Sequence, residues 1–224
     1  MRVIALVASP HGAKGNTAAL TELVLDGARN EGADTETVFL PGGTIVPCKA
    51  CDVCHKKGIC SQKDDFEAIK QKIYESDAII LGSPNYIWSV SAQMKAFMDR
   101  CCGVIHCMSF QGKYGASVVT SGGGDEKPIC DYMNHFLVMT GITPVGSVWA
   151  TMGATFGEGF LEETRHEAKQ LGSQLVQACE GGLSFPDVEQ AKDEFKQRMQ
   201  LLMQYRREDW PYEWEYWQKH HGLT

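Results

Sequence analysis

Short apolar runs alternate with amphipathic stretches along the first 180 residues, and this alternation restricts the possible fold more than any other feature. Residues 3–8 read as a buried first strand, residues 35–40 as a second with polar and apolar positions alternating, and residues 78–81 as a third. Residues 116–120 and 145–149 complete a set of five. Between them, helical spacing at Leu20, Leu23 and Val24 marks residues 16–30. Phe66, Ile69 and Ile73 mark a helix starting near Asp64 and Asp65, two acids suited to an N-terminal dipole. Further helices are expected over 92–101, 129–139 and 160–179, the last stopped by Gly181 and Gly182. Such a pattern is that of a parallel sheet covered by helices on both faces.

Between the second strand and the next helix stand Cys48, Cys51, Cys54 and Cys60, spaced C-x2-C-x2-C-x5-C. If the first three lie in a helical turn, spacings of three set them about 60° apart around the axis, so that they converge. Gly58 lets the chain reverse and bring in Cys60. Four thiolates from one tight loop suit a cubane iron–sulfur cluster, each binding a different iron. Zinc prefers two cysteine pairs separated by a longer stretch and leaves the middle cysteine poorly placed. Zinc, free thiols and disulfides remain open alternatives at this point. His55, inside the same loop, is expected to be a solvated loop histidine rather than a ligand or proton donor.

Three loops at carboxyl ends of strands carry further chemistry. The first holds Ser9, Pro10, His11, Gly12, Lys14, Gly15, Asn16 and Thr17 just before a helix. Glycines there permit close approach, and helix N-terminal amides can cradle a phosphate. It is neither a P-loop nor a G-x-G-x-x-G turn. The third strand ends in Pro84, Asn85, Tyr86, Ile87 and Trp88, whose aromatics can flank a planar ring. The fourth ends in Ser121, Gly122, Gly123, Gly124 and Asp125, which leaves bare amides. These are the positions at which open α/β sheets bind ligands.

The order of these motifs resembles the NADPH-dependent FMN reductase family. It rests on Ser9-Pro10 with Gly15-Asn16-Thr17, on Gly82-Ser83-Pro84 with Tyr86, on Ser91 to Arg100, and on Gly122 to Gly124. The cysteine motif narrows the resemblance to the iron–sulfur flavoprotein branch, over roughly residues 1–180. It implies a flavodoxin-like three-layer α/β sandwich with a five-stranded parallel sheet of order 2-1-3-4-5. Implied too are FMN, and a 4Fe–4S cluster on Cys48, Cys51, Cys54 and Cys60 that exchanges electrons with it. By position, Ser9, His11, Gly15, Asn16 and Thr17 would hold the phosphate. Pro84, Asn85, Tyr86 and Trp88 would border the ring, and Ser121, Gly122, Gly123 and Gly124 would contact it. Many relatives carry Phe-Gly where this chain has Ile87-Trp88, and a longer basic residue is frequent at His11. The implied function is an oxidoreductase passing electrons between one- and two-electron partners, with NAD(P)H or a small carrier such as ferredoxin as donor. The alternatives are an NAD(P)H-dependent FMN or quinone reductase without a cluster, and a thiol- or metal-based redox sensor.

The flavodoxin-like domain is expected over residues 1–182, with the cysteine loop at 47–61. Residues 183–224 form a helical aromatic extension, with a helix near 187–207 and then Trp210, Trp214 and Trp217 on one helical stripe. That stripe must cover its own domain, a subunit interface in a homodimer or homotetramer, or a cofactor site. A net charge of −7 argues against nucleic acid and anionic membranes as partners. Nine cysteines, an odd number with four clustered, suit a reducing cytoplasm. The first apolar run is too short to span a bilayer.

Overall fold

The computed structural model describes residues 1–156 and 158–223. Strands β1 (Arg2–Val7), β2 (Asp34–Phe39), β3 (Ala78–Pro84), β4 (Tyr114–Ser121) and β5 (Thr143–Thr151) form one sheet of order 2-1-3-4-5, and every pairing is parallel. The helices are α1 (Asn16–Asn30), α2 (Val53–Lys57), α3 (Phe66–Tyr74), α4 (Ala92–Arg100) and α5 (Cys102–Cys107), then α6 (Glu126–Thr140), α7 (Glu162–Cys179), α8 (Pro186–Arg206) and α9 (Pro211–His221).

Two-residue alternation divides the strands between two cores. Ile4, Leu6, Ile79, Leu81 and Val119 face α3, α4 and α6 through Phe66, Ile73, Met94, Phe97 and Met133. Val3, Ala5, Ile80, Val118 and Val148 face α1 and α7 through Leu20, Val24, Leu171 and Leu175. Helices α1 and α7 approach so closely that a Cβ on Gly27 would lie 2.0 Å from the Lys169 carbonyl oxygen, and one on Gly172 2.0 Å from that of Val24. The flavodoxin-like three-layer sandwich and its strand order are as the sequence predicts.

The extension builds a third core. Trp217, Phe195, Met199, Met203 and Leu223 are buried with Met108, and Trp210 and Trp214 pack against them. Of the three possibilities for the indole stripe, the fold realises the first: the stripe covers its own chain. Trp217 Nε1 donates to the carbonyl oxygen of His106 at 2.9 Å.

Candidate functional site

The carboxyl rim of the sheet is built from three loops. After β1, Ser9 is buried, and its Oγ accepts from the amide of His11 at 3.3 Å. Gly15 leads directly into α1; a Cβ there would meet Ser9 Oγ at 2.9 Å and the Cβ of His11 at 3.1 Å, so only glycine fits this turn undisturbed. His11 and Asn16 are exposed beside it, whereas Thr17 is buried and its hydroxyl is paired with that of Thr120 at 2.7 Å. Thr17 therefore helps to join α1 to β4, and its hydroxyl is already engaged.

After β3, Pro84 is buried, while Tyr86 and Trp88 are exposed, Trp88 by 75%. Ile87 and Trp88 both take positive φ, 51° and 57°, in a turn closed by hydrogen bonds between Tyr86 and Ser89. A β-branched residue in that region is strained. Asn85 donates from Nδ2 to the Gly124 carbonyl at 2.9 Å, yet its buried Oδ1 has no partner among the described residues. After β4, Ser121 Oγ accepts from the amides of Gly123 and Gly124 at 3.2 and 2.8 Å, which shapes the glycine turn. A Cβ on Gly122, Gly123 or Gly124 would meet nothing within 4 Å among the described residues. The Ser121 and Thr151 hydroxyls both donate to the buried carboxylate of Glu126. A rim with an orphaned carbonyl-type acceptor, bare glycines and exposed aromatics fits a flat ring carrying an N–H donor.

The cysteine loop leaves this rim and descends along α4. Cys48, Cys51, Cys54 and Cys60, all free thiols, line one cavity of about 150 Å³ together with His55, Asp99, Arg100 and Cys102. Only Cys54 lies in a helix. The expected helical turn through Cys48 and Cys51 is replaced by an irregular wrap in which Ala50 and Asp52 take φ of 50° and 58°. Convergence is thus achieved by left-handed residues on both sides of Cys51, at a cost in local strain. Gly58 turns the chain at φ 72°, and a Cβ there would strike the Tyr212 ring at 2.3 Å. The Cys51 thiol is held below its ordinary pKa chiefly by the hydroxyl of Ser61, 3.3 Å from it. Four convergent thiols in one cavity are a donor set that fits an iron–sulfur cubane. The cavity adjoins Arg100, at the opposite end of α4 from Ser91, whose hydroxyl donates to Ala8 on the rim. One nine-residue helix, about 13 Å long, therefore separates rim and cavity.

His55 is a correction. It is buried, 5% exposed, with Nδ1 2.6 Å from Glu213 Oε1. His106 Nδ1 lies 3.0 Å from Glu213 Oε2, and Cys102 Sγ lies 3.8 Å from His106 Nε2. Burial disfavours charge on His55, but Cys102, Cys54 and Glu213 outweigh it and push its pKa up to about 12. His106, likewise opposed by burial, is raised to about 9 by Cys102 and Glu213. Cys102, beside His106 and His55, is lowered to about 6. Sequence reasoning gave no site role to His106 or Glu213, and took Cys102 only as half of a reduced thiol pair with Cys101. The i, i+4 spacing of Cys102 and His106 on α5 was the available signal, whereas Glu213 arrives from 107 residues further along the chain.

The sheet order and the loops at its rim define a flavodoxin-like protein. A flavodoxin described as WrbA-like, from Agrobacterium tumefaciens, superposes with a TM-score of 0.59 at 18% identity, covering 81% of this chain and 99% of that one, a likeness of fold. The model of the NADPH-dependent FMN reductase family matches residues 1–156. An iron–sulfur flavoprotein of Archaeoglobus fulgidus is 34% identical over 206 residues, 92% of each chain. Another iron–sulfur flavoprotein, of Methanocaldococcus jannaschii, is 37% identical over 141 residues, 62% of this chain and 72% of that one. The chain belongs to the NADPH-dependent FMN reductase family, in its iron–sulfur flavoprotein branch, and is a flavin-dependent oxidoreductase.

Proposed function

We propose that this chain binds FMN on the rim and a 4Fe–4S cluster in the cysteine cavity, and passes electrons between one- and two-electron partners. The observation that carries the proposal is the convergence of four free thiols on one cavity beneath a flavodoxin-type rim. Cys48, Cys51, Cys54 and Cys60 would hold the cluster. Gly15, Asn16 and His11, with Ser9 and Thr17 behind them, would seat the phosphate at the start of α1. Pro84, Asn85, Tyr86 and Trp88 would border the ring. The orphaned Asn85 Oδ1 would accept from its N–H, and Ser121 to Gly124 would present backbone amides to it. FMN supplies two-electron or one-electron chemistry and the cluster one-electron chemistry. The chain's own part is to hold both, with the Arg100 guanidinium beside Cys60 in the wall of the cavity.

NAD(P)H or a ferredoxin-like carrier would supply electrons, in a reducing cytoplasm. Among the described residues no helix is long and apolar enough to cross a membrane. A homo-oligomer is supported by the exposed Ile87, Trp88 and Phe156, at 84%, 75% and 94%.

Iron, sulfide and flavin analysis of anaerobically purified protein tests this reading. About four irons and four sulfides per chain are expected, as one cubane requires, with one FMN. Cys51→Ser should lose the iron and keep the flavin, because the rim and the cavity are separate elements. Zinc in place of iron, bound only by sulfur, would overturn the cluster.

A further inference from the structure

Beside the cysteine cavity lies a cluster that the electron-transfer reading does not use. His55 comes from α2, Cys102 and His106 from α5, and Glu213 from the first turn of α9. Their arrangement is directional. Both Nδ1 atoms are taken by the two oxygens of one carboxylate, at 2.6 and 3.0 Å. Glu213 is fully buried and has its charge satisfied by these two donors. A metal that displaced the Nε2 protons would leave each Nδ1–H held by Glu213 and the lone pairs on Nε2, the tautomer that metal-binding histidines adopt when a carboxylate orients them. One atom from each of His55, His106 and Cys102 lies within 4.8 Å of the others. Trp210 stacks on both imidazoles, with centroids at 4.5 and 4.9 Å, and fixes their planes.

We propose that His55, Cys102 and His106 form a mononuclear zinc site, braced by Glu213 and adjoining the four-cysteine cavity. Two imidazoles and a thiolate are borderline donors that suit zinc and exclude magnesium and calcium, which take oxygen ligands. Charge also balances. The Glu213 carboxylate and the Cys102 thiolate carry two negative charges, and a dication neutralises them with both imidazoles uncharged. Three protein ligands leave one position open, as in zinc sites that bind water or a small ligand. Both His55 and Cys102 line the cysteine cavity, so that position opens towards it. The site also gives the extension a task. Helix α9 carries the brace that orients the ligands, and Trp210 at its start is the wall behind them. Metal at this point would tie α2, α5 and α9 into one unit around the cysteine loop.

The site is distinct from the cluster reading, and the test keeps the two apart. Full-length protein is purified anaerobically, supplied with zinc, freed of loosely bound metal, and measured for zinc and iron together. The zinc X-ray absorption edge then reads its neighbours without interference from iron. One zinc per chain is expected beside intact iron, with two nitrogens at about 2.0–2.1 Å and one sulfur at about 2.3 Å. Cys102→Ser and His106→Gln should abolish the zinc and leave iron and flavin contents unchanged. Glu213→Gln should weaken zinc binding about 10- to 100-fold, the usual effect of losing an outer-shell partner. The wild-type spectrum decides the matter even where a variant folds poorly. Absence of zinc beside intact iron overturns this site and leaves the cluster reading standing. Zinc in an all-sulfur shell without iron overturns both. Loss of iron from folded Cys102→Ser also overturns it, by making Cys102 a cluster ligand.

Discussion

Asp64 accepts from both terminal nitrogens of Arg100, at 2.7 and 3.0 Å, and from the amides of Val46 and Phe66. It thereby ties the start and the end of the cysteine loop to α4, with both side chains of the ion pair buried. Burial would raise the Asp64 carboxyl, but Arg100 and the two amides together bring its pKa below the ordinary value. A carboxyl depressed in the folded state stabilises the protein above its unfolded pKa, about 3.9, and loses that contribution as pH falls through the folded value. Asp64→Asn leaves Arg100 buried without its partner and is expected to cost about 3–5 kcal/mol near pH 7. Urea unfolding should show that difference begin to shrink below about pH 4 and go on shrinking as the pH falls through the lowered folded value, where the native carboxylate is itself protonated. A difference that holds constant with pH would remove Asp64 as its source. Asn85 offers a second test at this scale. Asn85→Ala deletes both the bond to Gly124 and the unpartnered Oδ1, and about 1–3 kcal/mol of flavin affinity should go with them. Titration of the flavin-free variant with FMN reads it directly, and unchanged affinity would take Asn85 out of the ring's border.

At the scale of elements, the two indole-bearing segments should behave oppositely. Trp217 is 1% exposed among Met199, Met203 and Phe195, so Trp217→Ala should cost about 3–5 kcal/mol by thermal or urea unfolding. Trp88 is 75% exposed on the rim, so Trp88→Ala should change stability by no more than about 0.5 kcal/mol while altering the flavin spectrum. If Trp88→Ala destabilises as much as Trp217→Ala, the β3 loop is part of the core rather than a ligand border. Elements of this kind are legible in sequence when their partners are local or repeat with period 2 or 3.6. Residues 3–8 and 78–81 declared buried parallel strands because every position is apolar. The edges of β4 and β5 ran further than their apolar centres, since Tyr114 joins the ladder opposite Thr143 and Thr151 opposite Ser121. The cysteine loop defied its spacing: a helical period of three was present, but Ala50 and Asp52 turn left-handed and only Cys54 reaches a helix. Burial of His55 was invisible for a different reason. Its partner Glu213 lies 158 residues away, on a helix whose docking no local pattern records.

The whole molecule places the rim and the cysteine cavity at opposite ends of α4, and this arrangement governs how the two proposed centres can act together. Strands β1 and β2 are neighbours and end on the same side, so the cysteine loop starts beside the phosphate loop. The loop does leave there, with the amide of Leu40 donating to the Val7 carbonyl, but it then runs down to the Asp64–Arg100 pair. Between rim and cavity stand Met94, Phe97 and Met98 of α4, all buried. Electrons passing between an FMN on the rim and a cluster in the cavity would cross about one helix length of packed protein, roughly 13 Å by the rise of nine residues. Such a layout predicts that each centre can be loaded without the other, yet fills at a rate that depends on the entry point. Flavin-free protein should lose rapid reduction of its cluster by a two-electron donor such as NAD(P)H, because the hydride-accepting group is gone. Cys54→Ser protein should keep its FMN but reduce it slowly from a one-electron carrier, because the one-electron entry is gone. Stopped-flow absorbance of the wild type and these two forms, each mixed with each class of donor, separates the routes. Equal rates in all three would show two centres that do not exchange electrons, leaving a flavin reductase whose cysteine cavity serves another purpose.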